Sequence, residues 1–123
     1  MQRYYNGGVS MTAFQDYILA APVEAQMRLV EILTFVHDKL PNAEQVIYHG
    51  IPTFFVKKRD VINIGAYRDH LGVHVGYSLA DYLKQKYPEY QYTKSAIQFL
   101  YTQPLPFDIL NDICSQIKYR NVR

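Results

Sequence analysis

Apolar residues fall on every second position on both sides of Arg68-Asp69: Ile62, Ile64 and Ala66 before it, Leu71, Val73 and Val75 after it. A period of two is that of a β-strand, whose side chains alternate between faces. If Arg68-Asp69 is a two-residue turn, Tyr67 pairs with His70, Gly65 with Gly72 and Asn63 with His74. The same register sets Ala66 against Leu71, Ile64 against Val73 and Ile62 against Val75, so one face is wholly apolar. A slip of one residue on either strand would put polar side chains among them. The chain is thereby committed to an antiparallel hairpin with one face to bury. The rest of the sequence has to supply the cover.

Two helices precede the hairpin. Thr12 with Gln15 forms a capping-box pattern that opens a short helix through Phe14, Tyr17, Ile18 and Ala21. Pro22 suits the first turn of the next helix, where Leu29, Leu33, Val36 and Leu40 recur at helical spacing until Pro41-Asn42. Val46 to His49 then reads as a strand, Gly50-Ile51-Pro52 as a turn and Thr53 to Val56 as a second strand. Lys57-Lys58-Arg59 reads as a charged loop before the strand Val61 to Tyr67. Ser78 with Asp81 is a second capping box, opening a helix that Pro88 closes. Tyr87 to Tyr92 reads as a loop, and Ala96 to Tyr101 as a strand. Pro104 and Pro106 introduce a last helix with Leu110, Ile113, Cys114 and Ile117 on its stripe. The expected order is ααββββαβα, a two-layer α+β domain with a mostly antiparallel sheet packed against helices. Residues 1–11 read as a mobile leader, with Met11 a second candidate start, and residues 12–120 as a single domain.

Composition removes several classes of function. The chain of 123 residues carries thirteen basic and eleven acidic side chains, a net charge of +2. That balance is too small to argue for DNA binding. One cysteine, Cys114, excludes an internal disulfide framework and a cysteine zinc site, and fits a reducing cytoplasm. No apolar run approaches the roughly 18 residues of a membrane span. Twelve tyrosines without a tryptophan are unusual, and six of them lie between Tyr77 and Tyr101.

Three segments carry a resemblance. Tyr48-His49-Gly50-Ile51-Pro52-Thr53-Phe54 after Leu40-Pro41 resembles the Tyr-x-x-x-Pro-x-Phe region of YdhG-like domains. So does Arg68-Asp69-His70-Leu71-Gly72-Val73. The third match runs from Tyr90 to Phe99 and leads into Pro104-Leu105-Pro106. In order they span Phe14 to about Ile117. Some members of this family are described as frataxin-like iron chaperones, and related domains occur in bacteriocin-protection proteins. The resemblance implies a cytoplasmic binding protein that acts as a frataxin-like iron chaperone or iron-handling accessory, with iron-handling proteins as partners.

The residues themselves argue for modest metal chemistry. Iron bound through oxygen needs converging carboxylates. Glu24, Glu31 and Asp38 are seven apart on the second helix, roughly 10 Å from one to the next, with Arg28 between them. Asp108 and Asp112 stand one turn apart at the start of the last helix, where the macrodipole favours acids regardless of metal. His70 and His74 lie about 13 Å apart if both are on a strand, too far to share an ion. No metal ligand set is assigned, and the cofactor expectation is none tightly bound, with weak iron at most. Cys114, on an apolar stripe, reads as an inert buried thiol. No nucleophile elbow, phosphate loop or HExxH pattern is present, so an enzyme is not expected.

The face opposite the apolar set is the candidate ligand surface. Asn63, Tyr67, His70 and His74 flank two paired glycines, and glycine inside a strand often marks close approach by a ligand or another backbone. Tyr92 and Lys94 would close one side if their strand lies beside the hairpin. The groups suit a small polar ligand. The alternative is a protein or nucleic-acid interaction module using a tyrosine-rich surface, with Lys57-Lys58-Arg59 as its basic element, and a small enzyme using His74 with a nearby tyrosine ranks third. The oligomeric expectation is a monomer or weak homodimer.

Overall fold

The computed structural model describes residues 5–6, 9–10 and 13–121. Two short strands, β1 (Tyr5–Asn6) and β2 (Val9–Ser10), pair with each other. They lie inside the segment that reads as a leader, whose other residues, and Thr12 of the first capping box, are outside the described residues. Then follow α1 (Gln15–Ala20), α2 (Val23–Lys39), β3 (Glu44–Tyr48), β4 (Ile51–Val56), β5 (Arg59–Ala66) and β6 (His70–His74). The chain ends with α3 (Tyr77–Lys86), β7 (Gln91–Tyr92), β8 (Ala96–Leu100) and α4 (Phe107–Arg120). Strands β3 to β8 form one antiparallel sheet in the order β3-β4-β5-β6-β8-β7. This is the expected α+β architecture, with β7 added where the sequence reads as a loop.

The hairpin register is the one that the alternation dictates: Asn63 opposite His74, Ile64 opposite Val73, Gly65 opposite Gly72, Ala66 opposite Leu71. The Tyr67 N–H donates to the His70 carbonyl at 2.9 Å, closing the turn at Arg68-Asp69. Strand β8 extends the same faces, setting Phe99 beside Leu71 and Ile97 beside Val73. Ile64, Leu71, Val73, Ile97 and Phe99 join Leu29, Leu33 and Val36 of α2 and Ile113 of α4 in one core. Burying each such side chain contributes about 1.5–3 kcal/mol.

Two turns differ from the sequence reading. Pro52 is in β4, and the turn is His49-Gly50, with φ of 52° and 81°. Both residues are left-handed, as a two-residue hairpin of this twist requires. Pro52 fits because β4 begins to pair with β5 only at Thr53, so its missing N–H costs no ladder bond. The Lys57-Lys58 turn repeats the left-handed pattern at 52° and 67°, and Arg59 belongs to β5. The Ser78 capping box does not form. Gly76, at φ 89°, occupies the cap of α3, while Ser78 accepts a hydrogen bond from Arg120 and Asp81 accepts one from Gln85. Pro22 caps α2 from just outside its first turn. Among the described residues, no helix is long and apolar enough to cross a membrane.

Candidate functional site

All four helices contribute buried residues to the one core, on the Ile64–Val73 side of the sheet. The opposite face is built by strand alternation alone. Across it run Tyr67, His70 and Leu100 in one row, Gly65, Gly72, Gln98 and Gln91 in the next, and Thr53, Asn63, His74 and Ala96 in a third.

The glycine strip is occupied from within. A Cβ at Gly65 would stand 2.9 Å from the Tyr67 hydroxyl oxygen, and one at Gly72 would stand 2.9 Å from Cε2 of the same ring. The phenol ring of Tyr67 lies back across both glycines, an arrangement that side chains at either position would block. It stacks on His70, with centroids 5.2 Å apart and planes inclined by 23°. The strip is therefore an aromatic ledge rather than the floor of an open cleft, and none of the described helices packs into it.

The ledge is anchored through its backbone. The Tyr67 carbonyl accepts the Tyr101 hydroxyl at 2.6 Å, and the Ala66 N–H donates to the Tyr17 hydroxyl at 2.8 Å. The Tyr101 N–H donates to the Asp69 carbonyl at 3.1 Å. Burial pushes the Tyr101 hydroxyl up to about 12, so it stays a donor at neutral pH. Asp69 and His70 approach each other at 2.8 Å, and this bond holds the Asp69 carboxyl below its ordinary range. Next to Gly72, half-buried His74 is shifted down by desolvation, which favours its neutral form. Asn63 reaches sideways to the neighbouring strand: its amide donates to Thr53 Oγ1 at 2.9 Å, and that hydroxyl donates to the Ile51 carbonyl at 3.0 Å. Its polar end is spent on satisfying fully buried Thr53.

Of the expected surface residues, Tyr67, His70 and His74 converge as the register demands. Tyr92 and Lys94 do not join them. Tyr92 pairs with Ile97 and so faces the helices, where its hydroxyl donates to the Leu83 and Tyr87 carbonyls at 3.0 and 2.8 Å. Burial pushes that hydroxyl up to about 12. Lys94 is exposed in the bend after β7, beside Tyr77, Asp81 and Lys84. Residues not anticipated are Leu100, 45% exposed beside His70, and the anchors Tyr17 and Tyr101. Regular alternation in β8 is the available signal for Leu100; the anchors have none.

Arg28 pairs with Glu31 at 3.1 Å. Asp112 is a structural hub: it accepts the Tyr87 hydroxyl at 2.7 Å, Lys86 at 2.9 Å and the Tyr82 hydroxyl at 3.1 Å. Burial alone would raise its carboxyl, but the bonds from Tyr87, Lys86 and Tyr82 hold it below the ordinary range. Among the described residues, no group of three or more His, Cys, Asp or Glu is placed to hold a metal ion. Burial pushes the Cys114 thiol up to about 12, which keeps it protonated and unreactive.

The arrangement as a whole matches a solved fold. A Bacillus subtilis protein of the DUF1801 family, YdhG, is similar at a TM-score of 0.84 and 21% identity, over 91% of this chain and 93% of that one. The chain has the YdhG-like fold. An uncharacterised conserved protein from Lactobacillus casei is similar at a TM-score of 0.58 and 13% identity, over 86% and 89% of the two chains. No family model matches the sequence, and no curated protein matches it closely. At these identities, the YdhG-like likeness concerns the fold.

Proposed function

We propose that this protein is a non-catalytic binding module of the cytoplasm that recognises another protein through the open face of its sheet. The observation carrying this reading is the aromatic ledge. Tyr67 and Leu100 are 44% and 45% exposed on a face that none of the described helices covers, and Tyr67 is held by two glycines and a stacked histidine. Fixed aromatic surface with a wet hydroxyl is suited to protein contacts, because little side-chain entropy is lost on binding. A small polar ligand is less well served, since the ring fills the strip. Single-stranded nucleic acid would need phosphate contacts near the stacking groups. The Lys57-Lys58 tip lies about nine residues along β5 from Tyr67, roughly 30 Å away.

A photo-crosslinking side chain placed at Leu100 tests the reading in the native host. It should capture a discrete partner, whereas the same group at Tyr119, exposed on α4, should not. Capture at Tyr119 only, or equally at both, would move the surface elsewhere. Iron handling, the finer function implied by the resemblance, is the second reading. Because Asp112 already accepts three donors, ferrous iron should bind the isolated chain at tens of micromolar or weaker, by the need for converging oxygen ligands. Calorimetry finding a tight stoichiometric site that disappears in Asp112→Asn would make iron the leading function.

A further inference from the structure

The two edges of the sheet are built differently. At one, β7 has two residues, and Tyr92 is tied inward to the backbone around α3. At the other, β3 runs for five residues, with Val46, Ile47 and Tyr48 exposed by 37%, 42% and 38%. Soluble proteins usually blunt such an edge with lysine, proline or a bulge. Strand β3 carries none of these: its one charge is Glu44, and its ladder with β4 runs without a register shift.

The His49-Gly50 turn fixes which backbone groups are open. It makes Tyr48–Ile51 a hydrogen-bonded pair, so Glu44, Val46 and Tyr48 direct their backbone to β4. The N–H and C=O of Gln45 and Ile47 face away from the sheet. We propose that this edge pairs with β3 of a second copy, antiparallel about a two-fold axis at Val46, giving one continuous sheet across two protomers.

The strand complements itself in that register. Outward-facing Gln45 meets outward-facing Ile47 of the second copy, twice by symmetry, and Val46 meets Val46. Glu44 falls opposite Tyr48 of the second copy, whose ring packs on His49 and Phe55, so no carboxylate meets another across the seam. The two Glu44 side chains stay about 13 Å apart along the strand, and a slip of two residues toward Glu44 halves that spacing. The axis stands perpendicular to the sheet, which keeps both open faces on one side. This pairing does not depend on the partner proposed for the ledge.

A five-residue strand pairing is smaller than a standard interface, so the dimer should be weak and concentration-dependent. Sedimentation equilibrium of the whole chain, up to about 1 mM, reads it directly. Wild type should show a growing dimer fraction. Val46→Glu puts like charges on the axis and should weaken the dimer about tenfold or more. Ile47→Pro removes an outward N–H without touching the β3–β4 ladder and should do the same. A wild type monomeric throughout, or a dimer indifferent to Val46→Glu, overturns the proposal. Should Ile47→Pro not fold, Val46→Glu alone decides.

Discussion

Ile64 and Gly65 are neighbours in one strand, as are Val73 and Gly72 in the next, yet they serve opposite faces of the sheet. On the helix side, Ile64, Leu71 and Val73 are fully buried in the common core. On the other side, the same two strands present Tyr67, His70 and His74 over a pair of glycines. A single register sets both, because side chains alternate with a period of two. The difference separates two tasks. One face buries the common apolar core, and the other holds an aromatic ledge. Substitutions should therefore divide by face.

The largest effect belongs to the core side. Val73→Ala and Leu33→Ala should each cost about 2–5 kcal/mol in denaturant unfolding, since both side chains are buried in the core. Losses below about 0.5 kcal/mol at both would remove the distinction. Next comes Asp112→Asn, expected to cost about 1–2 kcal/mol by weakening the bonds from Tyr82, Tyr87 and Lys86. The folded carboxyl lies below its unfolded value, so its contribution is present above the unfolded value of about 3.9 and is lost as pH falls through the folded value. Acid titration of stability should show a step in wild type below about pH 4 that is missing in the variant. An unchanged acid limb would show that Asp112 does not fasten α3 to α4.

On the open face, the expected effects are smaller. Gly72→Ala places a methyl where the Tyr67 ring lies, and the ring, being exposed, can swing away. The stacking that the swing breaks is worth about 0.5–1.5 kcal/mol, and alanine recovers about 0.5–1 kcal/mol of strand preference. Net destabilisation should stay below about 1 kcal/mol, while the NMR cross-peaks between the Tyr67 and His70 rings vanish. Persistence of those cross-peaks would place the ring elsewhere.

How far the sequence can be read follows from the range of each interaction. The β5–β6 register is legible because alternation and a two-residue turn are local and mutually consistent. The core residues of α2 and α4 are legible for the same reason, through helical spacing. Tyr92 is not, since a two-residue strand carries no period and only its pairing with Ile97 sets its face. The Asp112 hub joins residues 25 to 30 positions apart, beyond any local pattern. At the candidate surface, the register places Tyr67, His70 and His74 together, but the ring folding back onto Gly65 and Gly72 is a rotamer choice that spacing does not encode. Pro52 misleads because a proline at a strand's first positions looks like a turn until the neighbouring ladder is known.

The division between faces is tested most directly by Leu100→Glu. Leu100 is exposed beside His70, so the charge should change stability by no more than about 0.5 kcal/mol. Wild type and variant, purified from the native host with their bound proteins quantified by mass spectrometry, should then differ sharply. Leu100→Glu is expected to keep the wild-type Tm and to shed the proteins that wild type retains. A variant that keeps both its Tm and those proteins would contradict the assignment of the open face as the working surface.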